Sequence, residues 1–183
     1  GDFLLSRASV LLASLRRTQI VEIMAGALEA IMKGQMQLHR PMQQELTIAQ
    51  YVRNIELRTA TLLASGCECA AIVAGFERGS PVASAAFEYG RHVGIAYQLV
   101  SDLQATQGNF EKLLRKMEAC VLEDGRTSDC SFDPYELNEP LQRAGALIFA
   151  AERDPALAAQ VQQGFGSVED LIAARDAIDA CFA

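Results

Sequence analysis

Side chains able to do chemistry on their own are few in this chain, and they are poorly grouped. The five cysteines are Cys67, Cys69, Cys120, Cys130 and Cys181. Cys67-Glu68-Cys69 is a C-x-C, too tight for the C-x2-C knuckle of a zinc site, and no second pair follows. An odd count in a domain large enough to fold without staples reads as reduced thiols in an intracellular compartment. His39 and His92 lie far apart, and each reads as a surface residue rather than a catalyst. Between Glu118 and Glu139 there are seven acidic residues against a single Arg126. Asp124-Gly-Arg-Thr-Ser-Asp129 loosely resembles a calcium loop but lacks the Asp-x-Asp-x-Asp-Gly spacing and the terminal Glu. The stretch 118–139 therefore reads as a solvated acidic loop.

The whole-chain figures narrow the class. Over 183 residues the apolar fraction is 50% and the charged fraction 21%, enough for a sizeable core and far from a disordered composition. Sixteen Lys and Arg against 23 Asp and Glu give a net charge of −7. That is not the footprint of a nucleic-acid binder. Every apolar stretch is interrupted by Arg, Glu, Gln or Lys before the roughly 18 residues of a membrane span. The first residue is Gly1 rather than Met, which reads as a processed, trimmed or incomplete N terminus.

The elements that must position any site are helices. Phe3 to Leu15 is apolar on most sides, as a buried helix would be. From Thr18 to Leu38, Ile20, Met24, Ala27 and Ile31 recur at helical spacing. Thr47 with Gln50 is a capping box, opening a helix with Ile48, Val52, Ile55, Thr59 and Leu62 on one face. Gly75 stops it beyond Ala74. Ser80-Pro81 is an N-cap followed by proline at the first helical position, opening a helix towards Ala105. Shorter helices are expected over Leu141–Arg153, from Pro155, and from the Ser167-x-x-Asp170 cap to Cys181. All five prolines fall at helix ends or in loops. The fold class is all-α, read as one domain over 1–183.

Several collinear segments carry a resemblance. Gly1-Asp2-Phe3-Leu4-Leu5-Ser6-Arg7-Ala8 resembles the helix after the first aspartate-rich motif of trans-polyprenyl diphosphate synthases. Gly34-Gln-Met-Gln37-Leu38 sits where those enzymes carry Gly-Glu-x-x-Gln. The stretch from Tyr51 through Arg58-Thr59-Ala60-Thr61-Leu62 is similar to their Lys-Thr-Ala-Ser-Leu helix. Tyr89-Gly90-Arg91-His-Val-Gly94-Ile95-Ala96-Tyr97-Gln98-Leu99-Val100 resembles the run into their second aspartate-rich motif. Ala146-Leu-Ile-Phe149-Ala150 and the segment after Pro155 match later helices of the long-chain members. The resemblance implies an isoprenoid-synthase-like bundle of mostly antiparallel helices, with the N-terminal part of that fold outside this chain.

In the family, elongation ionises an allylic diphosphate, and Mg2+ held on two Asp-Asp-x-x-Asp motifs neutralises the leaving pyrophosphate. Residues at i and i+4 share a helical face, so their carboxylates chelate together. Here the second motif reads Ser101-Asp102-Leu103-Gln104-Ala105: Ser101 and Ala105 replace the i and i+4 aspartates, and Asp102 alone remains. The resemblance implies substrate contacts at Arg58, Thr59, Gln98 and Asp102, all in a degraded setting. Arg58 stands in place of lysine and does not reproduce an ammonium contact. Asn54 falls where many members carry another lysine, Gln35 replaces a glutamate, and the Gly-Lys-Pro loop after the second motif is missing. Thr59 and Gln98 are kept; a hydrogen bond between buried helices explains them as well as substrate contact does.

Three functions follow from this pattern. The first is a catalytically degenerate homologue serving as the non-catalytic subunit of a hetero-oligomeric prenyltransferase in isoprenoid or ubiquinone side-chain synthesis. The second is a prenyl-synthase fold recruited as a structural subunit of a larger, mitochondrial assembly. The third is an active Mg2+-dependent enzyme. No metal or other cofactor is expected except Mg2+ in that third case, and the mitochondrial location rests on analogy. Leu4, Leu11, Leu12 and Leu15, together with Leu5 and Val10, exceed one buried stripe, so this helix is expected to meet a homologous subunit or a larger assembly.

Overall fold

The computed structural model describes residues 1–38, 47–122, 144–163 and 168–182. These are helical as expected, with no strand among the described residues. In chain order the helices are α1 (Asp2–Ser14), α2 (Thr18–Leu38), α3 (Ile48–Ile55), a π-helical turn (Glu56–Ala60), α4 (Thr61–Val73), α5 (Pro81–Leu122), α6 (Gly145–Ala151), α7 (Pro155–Gln163) and α8 (Val168–Phe182). They fall into two compact units, Gly1–Pro41 with Val52–Gln98 and Met42–Tyr51 with Leu99–Ala183.

In the first unit, α2 packs on α4 and on the π turn, and α1 rests on α2. Ile20, Ile23, Cys69 and Ile72 form its apolar cluster, with Leu12 and Met24 against it. The α1–α2 turn places Arg16 at φ +52°, and the neighbouring Arg17 guanidinium donates to the Ile72 carbonyl at 3.0 Å. Gly75 ends α4 as predicted: it adopts φ +102°, and the Phe76 N–H reaches back to the Ala71 carbonyl at 3.1 Å. Across α4 and the π turn, the fully buried Ala60 and Ala64 face Gly90 and Gly94 of α5. A Cβ at Gly90 would lie 2.8 Å from the Ala64 Cα, and one at Gly94 would lie 2.5 Å from the Ala60 Cα. Only glycine permits that approach of two helix backbones.

In the second unit, Leu147, Ala150, Leu157, Leu171, Ala174 and Ile178 lead the core, and Leu103 of α5 packs onto it. Both halves of the predicted capping box form: the Thr47 N–H donates to Gln50 Oε1 at 3.2 Å and the Gln50 N–H to Thr47 Oγ1 at 3.3 Å. The Ile48 N–H also donates to Glu152 Oε1 at 2.7 Å. Asp154 caps α7, accepting from the Ala156 N–H at 2.9 Å.

Three expectations need revision. α1 buries none of its residues, so it is not a buried helix within this chain. α5 does not stop near Ala105 but continues through Leu122, because Gly108 costs an otherwise helix-forming run only about 1 kcal/mol. The acidic stretch predicted as a loop over 118–139 accordingly begins inside α5; its part from 123 on lies outside the described residues. His39, Cys130, Ser167 and residues 141–143 also lie outside them.

Candidate functional site

The first unit holds Arg58, Thr59 and Gln98. Arg58 and Thr59 sit on the π turn, where one extra residue per turn re-aims side chains; such turns are frequent at functional sites. The Thr59 hydroxyl donates to Gln98 Oε1 of α5 at 2.8 Å. These two kept residues thus partner one another, the helix-to-helix bond that the sequence left in balance with substrate contact. Arg58 is half-buried with its Nε enclosed and without a hydrogen-bond partner. Its side chain crosses Gly34 of α2, where an added Cβ would lie 2.6 Å from Arg58 Cγ. Asn54 Nδ2 donates to the Gly34 carbonyl at 3.2 Å, and Glu56 pairs with Arg91 of α5. The amide at 54 therefore joins α3 to α2.

The second unit holds Asp102, Ser101 and Ala105. The Tyr51 hydroxyl donates to Asp102 Oδ2 at 2.6 Å, the short distance of a charge-assisted bond. Burial, and then the bond to the Asp102 carboxylate, push the Tyr51 phenol well above its ordinary range. The Thr106 hydroxyl donates to the Asp102 carbonyl at 2.6 Å, fixing the helix turn that bears the carboxylate. Ser101 is half-buried and Ala105 exposed.

The residues at 101–105 do not fit a chelated divalent cation. One carboxylate is present, one of its oxygens receives the Tyr51 hydroxyl, and the i and i+4 positions carry no charge. Among the described residues no three His, Cys, Asp or Glu side chains gather as a metal-binding group. Cys67, Cys69 and Cys181 are free thiols, and burial raises the Cys69 thiol. His92 is exposed, 3.7 Å from Glu88.

Of the four leucines expected at an interface, Leu4, Leu11 and Leu15 are 72%, 57% and 49% exposed. Leu12 instead packs against the first unit's own cluster. Sequence reasoning missed two features. Tyr51 received no role of its own, because nothing local marks a partner 51 residues away. Gly90 and Gly94 carried a signal, four residues apart on one face, that was read only as resemblance.

The comparisons with known proteins agree with the fold. The model of the polyprenyl synthetase family matches residues 1–156. Solanesyl-diphosphate synthase 1, mitochondrial, of Oryza sativa subsp. japonica is 39% identical over 114 residues, 62% of this chain and 26% of its own length. A mouse all trans-polyprenyl-diphosphate synthase is 29% identical over 180 residues, 96% of this chain and 38% of its own length. A probable hexaprenyl pyrophosphate synthase, mitochondrial, of Neurospora crassa is 36% identical across 68% of this chain and 29% of its own length. The chain thus spans well under half the length of these relatives. Among solved structures, the apo form of an Arabidopsis medium/long-chain length prenyl pyrophosphate synthase matches with a TM-score of 0.67 at 27% identity, covering 98% of this chain and 54% of that one. With the family model covering most of its length and the all-α fold shared, this chain belongs to the polyprenyl synthetase family.

Proposed function

We propose that this chain is a catalytically degenerate polyprenyl diphosphate synthase homologue, acting as the non-catalytic subunit of a hetero-oligomeric prenyltransferase in isoprenoid or ubiquinone side-chain synthesis. The observation that carries the reading is the state of residues 101–105. Ser101 and Ala105 bring no charge, and Asp102 is held by the Tyr51 hydroxyl at 2.6 Å. A leaving pyrophosphate needs neutralisation by cations on paired carboxylates, and this segment supplies no pair. The packing around Thr59 and Gln98 is intact, so the loss is of chemistry rather than of fold.

The assembly half of the proposal draws on α1. Phe3, Leu4, Leu5, Val10, Leu11 and Leu15 stand exposed along it, more apolar surface than a lone soluble helix carries. A mitochondrial location fits the mitochondrial rice and Neurospora relatives. No described helix is long and apolar enough to cross a membrane. Native mass spectrometry of the endogenous complex tests the pairing. A mixed assembly with an intact polyprenyl synthase is expected. An assembly of unrelated chains would replace the proposal with a purely structural subunit, and a stable monomer would refute both.

A further inference from the structure

We infer that the Tyr51 hydroxyl competes with divalent cations for the last carboxylate of the 101–105 segment, so that restoring the two missing aspartates does not by itself restore tight cation binding. The inference deepens the proposed loss of chelation and rests on it.

Both partners of this hydrogen bond are held in place by packing around them rather than by the bond alone. α3 is fixed at its start by the Thr47–Gln50 box and by Glu152, which accepts the Ile48 N–H at 2.7 Å. One turn on, the Tyr51 ring lies against Gly145 so closely that a Cβ there would collide with it. Gly145 belongs to α6, whose residues from Gly145 to Ile148 are all buried. The ring cannot swing aside without moving the second unit's core. On the other side, Leu103 packs on that core and the Thr106 hydroxyl ties down the Asp102 carbonyl at 2.6 Å. The hydroxyl proton is thus held on Oδ2, one of the two oxygens this carboxylate could offer a cation. A cation that takes the lone pair holding this proton turns the hydroxyl away and leaves a half-buried donor without its acceptor, and one that takes another lone pair meets a carboxylate whose charge the bond already draws on. A hydrogen bond to a charged group of this kind weakens a competing ligand by about tenfold or more.

Calorimetric titration of the full chain with Mg2+ and with Mn2+ tests this on two backgrounds. Ser101→Asp/Ala105→Asp alone is expected to bind weakly. Adding Tyr51→Phe should tighten binding by about tenfold or more, and circular dichroism should not change, since phenylalanine keeps the ring against Gly145. Equal affinities on the two backgrounds, or no binding on either, would overturn the inference. An independent measurement leaves Tyr51 in place: in the Ser101→Asp/Ala105→Asp chain labelled with 3-fluorotyrosine, the Tyr51 fluorine resonance should shift along the Mg2+ binding curve. A resonance that stays still at saturation contradicts the competition. Turnover by the unsubstituted chain would defeat the proposed function and leave this comparison of affinities standing.

Discussion

The surroundings of Thr59 and of Asp102 put their polar side chains to different uses. In the first unit, the kept polar pair Thr59–Gln98 sits above a seam of Ala60 and Ala64 against Gly90 and Gly94, where two helix backbones nearly touch. The Ala–Gly seam serves packing, and a larger side chain at Gly90 or Gly94 would disturb it. In the second unit, the helix turn at 101–105 is held through Leu103 and Thr106 and carries one carboxylate, Asp102, between the uncharged Ser101 and Ala105.

The contrast can be broken most forcefully at the seam. Gly94→Val pushes a branched side chain into the Ala60 backbone, and overpacking of this kind costs about 3 kcal/mol. Thermal denaturation should show a lowered midpoint; a raised one would mean the seam gives way and helix propensity wins. A step smaller, Tyr51→Phe removes the donor from Asp102 and should cost about 1–2 kcal/mol in urea denaturation. A neutral result would say that water serves Asp102 equally well and that the second unit is held by apolar packing alone. Thr59→Val deletes the bond to Gln98 in a half-buried setting, for about 1 kcal/mol. Should Thr59→Val cost much more than Tyr51→Phe, the first unit would depend on polar contacts more than its seam suggests.

The pH dependence is the mildest effect. The Tyr51 phenol is raised in the folded chain, by burial first and by Asp102 second. Above the ordinary phenol value of about 10 the unfolded chain gives up this proton while the folded chain keeps it. The contribution is fully present below that value and is lost as pH climbs towards the folded one. Denaturation midpoints should show no pH dependence from Tyr51 near neutrality and should fall in strongly alkaline buffer, less so in Tyr51→Phe.

Much of the fold is legible in local chemistry. Thr47 with Gln50, Ser80 before Pro81, and Gly75 after α4 each mark a helix end through a specific side chain or backbone angle, and all three act as read. Ser80 Oγ accepts the Ala83 N–H at 3.3 Å. The length of α5 was not legible, since Gly108 looks like a terminator although helix formers such as Glu111 and Arg115, paired at 3.8 Å, follow it. The π turn was hidden for another reason. No local pattern in Glu56–Ala60 marks it, and its Arg58 side chain lies against Gly34 of α2. The uncharged Ser101 and Ala105 can be read directly from two letters, but the hydroxyl that donates to Asp102 cannot, because no periodicity links Tyr51 to a residue on another helix.

The most direct test is steady-state turnover by the purified chain given an allylic diphosphate, isopentenyl diphosphate and Mg2+. The account predicts no elongation above the enzyme-free reaction, and little more from Ser101→Asp/Ala105→Asp. Mg2+-dependent elongation by the unsubstituted chain, at a rate comparable with an intact polyprenyl synthase, would contradict it.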